Sequence, residues 1–375
     1  MIGTTNVKRY IAGAIEVTIS CETPNSTVYI LYNGLQYSGT GTKNIFVDSG
    51  SSIEYWATAP NYYESSHTTQ TNITSSSTYT IGALTIMPKL TINCDVVGSI
   101  VTINGTVGNS KYLAEGTSYT YSVSRTNYIT KTGSGVMSST DTTIDVGGLD
   151  LTNINLNGIN SNLTIYSETL YNSKTAIINI TGGGSLSKTN SNTNTDYQLG
   201  NGGTATGTII IPANTKIEIK CMAGGVISPY AQGGTGIALL LTDNNDQNIG
   251  TLVVGGAGCS YYNYSVGSSS VYYAAGGGGY NGGLSQCYNT GTTTGRLENT
   301  SGYSINGTLG TNQTVIVGTA TGSRTTATGN GSKNYGGTGY ASGLCSEATL
   351  VNGTLNSPSS YVPVIPPGNI TITFS

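Results

Sequence analysis

Charge is what this sequence has least of. Of its 375 residues only 14 are Lys or Arg and 17 are Asp or Glu, 8% in all, against roughly 25% in an ordinary soluble domain. The few bases form no stripe, so nucleic acid is not expected as a partner. Solvent must instead meet Ser, Thr, Asn, Gly and Tyr. Phe (2), Trp (1) and His (1) are nearly absent, while Tyr reaches 27. Almost every aromatic ring therefore carries a hydroxyl, which suits half-wet positions. Helix formers are scarce and Thr, Ile, Val and Tyr abound, which predicts an all-β chain. No apolar run approaches the length of a transmembrane helix. The apolar piece 11–15 is too short for a signal-peptide core, so synthesis in a cytosol is expected. Six cysteines (Cys21, Cys94, Cys221, Cys259, Cys287 and Cys345) are too dilute for a disulfide scaffold, and free thiols are expected.

Signatures of chemistry are missing too. There is no Cys-x-x-Cys for structural zinc. No Gly-x-x-x-x-Gly-Lys-Ser/Thr occurs, and Gly337–Gly343 has the wrong spacing for a phosphate loop. His67, in Tyr63-Glu-Ser-Ser-His67, could in principle serve a Ser–His–Asp site, but an exposed loop histidine is the better reading. Asp243 and Asp246 could ligate calcium, yet Asp-Asn-Asn-Asp between two apolar runs reads as a hairpin turn. The supply of acids for a glycosidase pair is thin. No catalytic residue, metal or cofactor is expected.

What the chain does have is glycine, 54 residues, about twice the usual share of roughly 7%. The densest stretch is Gly276-Gly-Gly-Gly-Tyr-Asn-Gly-Gly283, between Gly255-Gly-Ala-Gly258 and Gly336-Gly-Thr-Gly339. Such runs are either linkers or places where backbones pack too closely for a Cβ. Flanking strand-like segments favour packing. A packed run can adopt the extended three-residue helix that polyproline uses, bonded only to its neighbours. The collagen period is absent.

The first part of the chain repeats itself. Val17-Thr-Ile-Ser-Cys21 matches Leu90-Thr-Ile-Asn-Cys94, and Gly50-Ser-Ser-Ile-Glu-Tyr55 matches Gly116-Thr-Ser-Tyr-Thr-Tyr121. Asn61-Tyr62 matches Asn127-Tyr128, and Ile81-Gly-Ala-Leu84 matches Val146-Gly-Gly-Leu149. Period-2 alternation in each copy predicts a small antiparallel sandwich, with Cys21 and Cys94 inward as small buried hydrophobes. The opening strands, the hairpin 101–105 and the run 116–123 resemble PEGA-type domains, short β-sandwich repeats that act as spacers or binding modules.

From Asp150 to Leu186 the pattern is strand-like, marked by Leu163, Ile165, Leu170, Ile177, Ile178 and Ile180; a polar piece, 188–196, reads as a loop. Beyond it come Gly200-Asn-Gly-Gly, a strand pair around Pro212, Met222-Ala-Gly-Gly225, Gly233-Gly-Thr-Gly and Leu252-Val-Val-Gly-Gly-Ala-Gly258. This order resembles the glycine-rich domain family, found in the ectodomain of anaplastic lymphoma kinase and in phage and bacterial surface proteins. The likeness covers roughly 175–375. The segment 286–334 departs from it, being mostly Thr, Asn and Ser. Asn369–Phe374 alternates as a closing strand, as in phage tail proteins that carry this domain.

The fold expected is all-β: an N-terminal attachment segment (1–15), sandwich repeats at 16–87 and 88–151, and a glycine-rich domain with polyglycine-II-type helices and strands at 152–375. The resemblance implies a non-enzymatic bacteriophage virion protein, a tail fibre, head fibre or adhesin, made in the host cytoplasm. Its partners would be other virion proteins and a host-surface glycan or protein; a homo-oligomer is expected, a trimer among the options. The alternatives are a virion decoration without a receptor and a secreted adhesin or ligand-binding ectodomain, with a depolymerase last. Tyr261, Tyr262, Tyr264, Tyr272, Tyr273, Tyr280 and Tyr288 cluster around the glycine core. They are the receptor-binding candidates, because Tyr supplies a rigid ring and a hydroxyl at small rotamer cost; the competing role is to seal the glycine bundle.

Overall fold

The structure, a computed structural model, describes residues 13–159, 163–188, 196–227, 231–257, 262–266, 269–273, 277–279, 286–289, 304–305, 314–317, 339–351, 353 and 367–375. Among them every regular element is a β-strand. The chain divides into two compact units, one of residues 1–125 and 130–147, the other of 126–129 and 148–375.

The first unit holds the repeats. In the first copy, β1 (Ile15–Cys21), β2 (Thr27–Tyr32), β3 (Leu35–Thr40), β4 (Thr42–Val47), β5 (Ser51–Thr58), β6 (Thr68–Ile73) and β7 (Ser77–Ile81) form two sheets, β4-β1-β7 and β3-β2-β5-β6. In the second, β8 (Lys89–Asn93), β9 (Ile100–Ile103), β10 (Thr106–Val107), β11 (Ser110–Tyr112), β12 (Ser118–Ser124), β13 (Lys131–Val136) and β14 (Thr142–Asp145) form β11-β8-β14 and β10-β9-β12-β13. The topologies are identical, down to the parallel pairing of the first strand with the last. Ile15 already belongs to β1, not to a separate attachment segment.

Local chemistry sets these pairings. Asn33-Gly34 and Asn104-Gly105 each take two consecutive positive φ values (49° and 73°; 48° and 73°), the two-residue hairpin turn that matches strand twist. Ile15, Val17 and Ile19 of β1 point inward with Val28, Ile30, Ile53 and Tyr55. Burying each large aliphatic chain contributes about 1.5–3 kcal/mol. Cys21 and Cys94 hold equivalent positions, but they are half-buried, not core. Cys21 ends β1 and Cys94 directly follows β8, and there the thiol meets the carbonyl of Gly82 or Gly147, the equivalent glycines of the two copies. On β13, Gly133 and Gly135 lie opposite Tyr121 and Tyr119, whose rings cover them.

The second unit contains β15 (Ile154–Ile159), β16 (Thr164–Leu170), β17 (Lys174–Thr181), β18 (Ser185–Lys188), β19 (Asp196–Gly200), β20 (Thr204–Ile211), β21 (Thr215–Met222), β22 (Val226–Ile227), β23 (Ala231–Gln232), β24 (Gly236–Thr242) and β25 (Asn248–Val254). They are followed by β26 (Tyr262–Val266), β27 (Ser269–Tyr273), β28 (Gln286–Asn289), β29 (Thr314–Val317), β30 (Tyr340–Gly343), β31 (Thr349–Val351) and β32 (Gly368–Phe374). Two five-stranded sheets dominate, β15-β32-β17-β20-β31 and β16-β21-β24-β25-β30. The closing strand β32 runs between β15 and β17, so the chain end lies inside a sheet. Its Ile370 and Ile372 are buried with Ile178 and Ile180, while Ile177 and Leu163 face out.

Just beyond the ends of β17, β21 and β25, and just before β20 and β24, lie the short segments 182–184, 223–225, 255–257, 201–203 and 233–235. No regular element is assigned to them, so the expected polyglycine-type helices are not shown. They nevertheless bond to one another through the backbone. Gly203 N–H donates to Gly255 O, Gly256 N–H to Gly278 O, Gly234 N–H to Ala257 O, and Ala257 N–H to Gly183 O. Segment 255–257 thus bonds to four other segments, where a strand in a flat sheet has two neighbours. A Cβ on Gly277 would overlap the carbonyl oxygen of Gly256, one on Gly256 that of Gly234, and one on Gly278 that of Met222. Only glycine fits between backbones this close.

Candidate functional site

The tyrosine candidates map onto the four-stranded sheet β26-β27-β28-β29. Register sets Tyr262 opposite Tyr273, Tyr264 opposite Val271, and Tyr272 opposite both Asn263 and Tyr288. The backbone therefore gathers five of the seven on three adjacent strands. Tyr261 and Tyr280 lie outside the described residues.

A second cluster, in the first repeat, is resolved to its side chains. Period 2 places Glu54 and Trp56 on one face of β5, and register sets Tyr29 of β2 opposite Trp56. The three rings Tyr29, Trp56 and His67 stack in a row: Tyr29 to Trp56 at 5.3 Å and 13°, Trp56 to His67 at 4.2 Å and 9°. His67 Nδ1 lies 2.8 Å from Glu54 Oε1, and its Nε2 lies 2.8 Å from Glu64 Oε1. An ionised carboxylate only accepts hydrogen bonds. Both contacts are satisfied together when both ring nitrogens carry protons, that is, by the imidazolium. The bonds to Glu64 and then Glu54 raise the His67 pKa above its ordinary value. The indole face adds a favourable surface for that cation. Because the carboxylates sit on opposite ring nitrogens, the trio cannot converge on one metal ion. Among the described residues no group of three or more His, Cys, Asp or Glu could hold a metal.

Next to this cluster is an open cleft of about 440 Å³, whose walls include Tyr63, Glu64, Ser65, Ile81, Gly82 and Ala83. The segment is pinned at Ser65, whose N–H donates to Ala57 O (3.0 Å) and whose Oγ accepts from Ala57 N–H (2.9 Å). Tyr63 Oη accepts the Glu115 N–H of the second repeat at 2.8 Å.

Sequence reasoning treated His67 as a lone loop residue and missed Glu54, Glu64 and Trp56. The signal was present: the chain's one His and one Trp fall within thirteen positions of two of its few acids. Asp243 and Asp246 lie in the turn joining β24 to β25. Asp243 Oδ1 accepts the N–H groups of Gln247 and Asn245, which lowers its pKa.

No protein-family model matches the chain, and no curated protein matches it. Among solved structures, the Bacillus anthracis TIE protein is similar over 59% of this chain and 48% of its own, at 11% identity and a TM-score of 0.20. The chain thus spans about half the length of that protein, and a score so low carries no argument.

Proposed function

We propose that this chain is a bacteriophage virion protein of the fibre or adhesin type, a binding and structural protein and not an enzyme. The tandem sandwiches are its stalk and link it to other virion proteins. The glycine-rich part, built on polyglycine-II-type packing, faces the host. The sheet β26–β29 presents Tyr262, Tyr264, Tyr272, Tyr273 and Tyr288 to a surface glycan or protein. The carrying observation is the gathering of those tyrosines on neighbouring strands, in the same unit as glycine segments bonded backbone to backbone. Tyr suits such a role because it makes adaptable contacts at little rotamer cost.

The test is replacement of Tyr261, Tyr262 and Tyr264 by Ser. Attachment of the purified protein to host cells should be lost while the melting temperature stays near that of the wild type. With few charges involved, attachment should depend only weakly on salt. Unfolding of the triple variant assigns the rings to sealing the core. A folded variant that still attaches returns the protein to a decoration role.

A further inference from the structure

We propose that His67 is a proton-operated clasp: protonated, it fastens the segment Tyr63–Thr68 across β5 and holds one wall of the adjoining cleft, and deprotonated, it releases that wall. Three contacts converge on one ring. Glu54 reaches it from β5, Glu64 from its own segment, and Trp56 lies under its face with Tyr29 stacked beyond. The charged groups meeting the ring are those two carboxylates. Loss of a ring proton removes one donor and leaves two carboxylates competing for the other. Ser65 pins the wall to Ala57 of β5, and the bond from His67 to Glu64 adds a second tie through the ring that reinforces that pin.

The sign follows from the contacts. The folded protein holds this proton more tightly than the unfolded chain. The clasp's contribution is therefore fully present below the ordinary histidine value, roughly pH 6.5, and is lost as pH rises through the higher folded value.

Trp56 is the only tryptophan in the chain, and a protonated imidazole stacked on indole quenches its emission. Emission of the full chain, titrated between about pH 5 and pH 9, should rise in one transition with a midpoint above that of a free histidine. His67→Gln should abolish the transition, and Glu64→Gln and Glu54→Gln should each lower its midpoint. Hydrogen exchange at the Ser65 amide, corrected for its intrinsic pH dependence, should quicken across the same midpoint, and should be fast at every pH in His67→Gln. A midpoint at or below the free value, or one unmoved by Glu64→Gln, overturns the proposal. So does a normal titration with unchanged Ser65 exchange, since the ring would then titrate without fastening anything.

Discussion

The backbone amide of Gly278 donates to the carbonyl oxygen of Gly234 at 2.9 Å, and the amide of Gly256 donates in turn to Gly278 O at 2.8 Å. This pair of bonds ties a segment remote in sequence into the end of the sheet formed by β24 and β25. The contact is backbone on backbone, so no rotamer change can relieve an added side chain.

Gly278→Val should therefore be more disruptive than an ordinary core enlargement, which costs about 1–3 kcal/mol. Gly98→Ala is the comparison, since its Cβ meets open space and the strain is only that of φ +77°, worth roughly 1–2 kcal/mol. Thermal unfolding monitored by circular dichroism distinguishes them. Equal melting temperatures for Gly278→Val and the wild type would remove the close-packing account.

At Gly133 the neighbour is a side chain, the ring of Tyr121 across the strand pair. A ring can rotate away, so Gly133→Val should cost less, about 1 kcal/mol. Adding Tyr121→Thr should recover part of that loss, because the displaced ring is gone. Urea unfolding of the two variants measures the coupling, and strictly additive losses would contradict a shared contact.

The thiols should separate by burial. Cys345 is fully buried, and desolvation pushes its pKa up to about 11. Cys21 and Cys94 are half-buried. Because the thiolate is the reactive form, brief alkylation of the native protein near neutral pH should mark Cys21 and Cys94 well before Cys345. Peptide mapping reads the order, and equal labelling of Cys345 and Cys21 would mean that the buried site opens readily.

Much of the fold was legible in the chain itself. Alternation along Val17-Thr-Ile-Ser-Cys21 and its copy at Leu90 marks strands with one buried face, because the pleat has period two. The duplicated Asn-Gly pairs mark matching hairpins, because both positions demand positive φ. All-β class follows from such local rules; the parallel pairing of first strand with last in each copy does not, since it joins segments about sixty residues apart in the first copy and about fifty in the second. Burial at the strand ends did not, since Cys21 and Cys94 continue the alternation yet stop half-covered.

Long-range assembly was left to the tertiary structure. Nothing local tells a glycine run which other runs it will bond to, as Gly256 bonds to Gly278 and Gly234 to Ala257; glycine carries no side-chain pattern, so partner choice is decided by where the flanking strands deliver each segment. The His67 cluster is the same lesson in polar chemistry. Spacing put Glu54 beside Trp56 on one strand face, but only the return of the chain through Tyr63–Thr68 laid the imidazole on the indole between two carboxylates, because that contact joins residues from different elements.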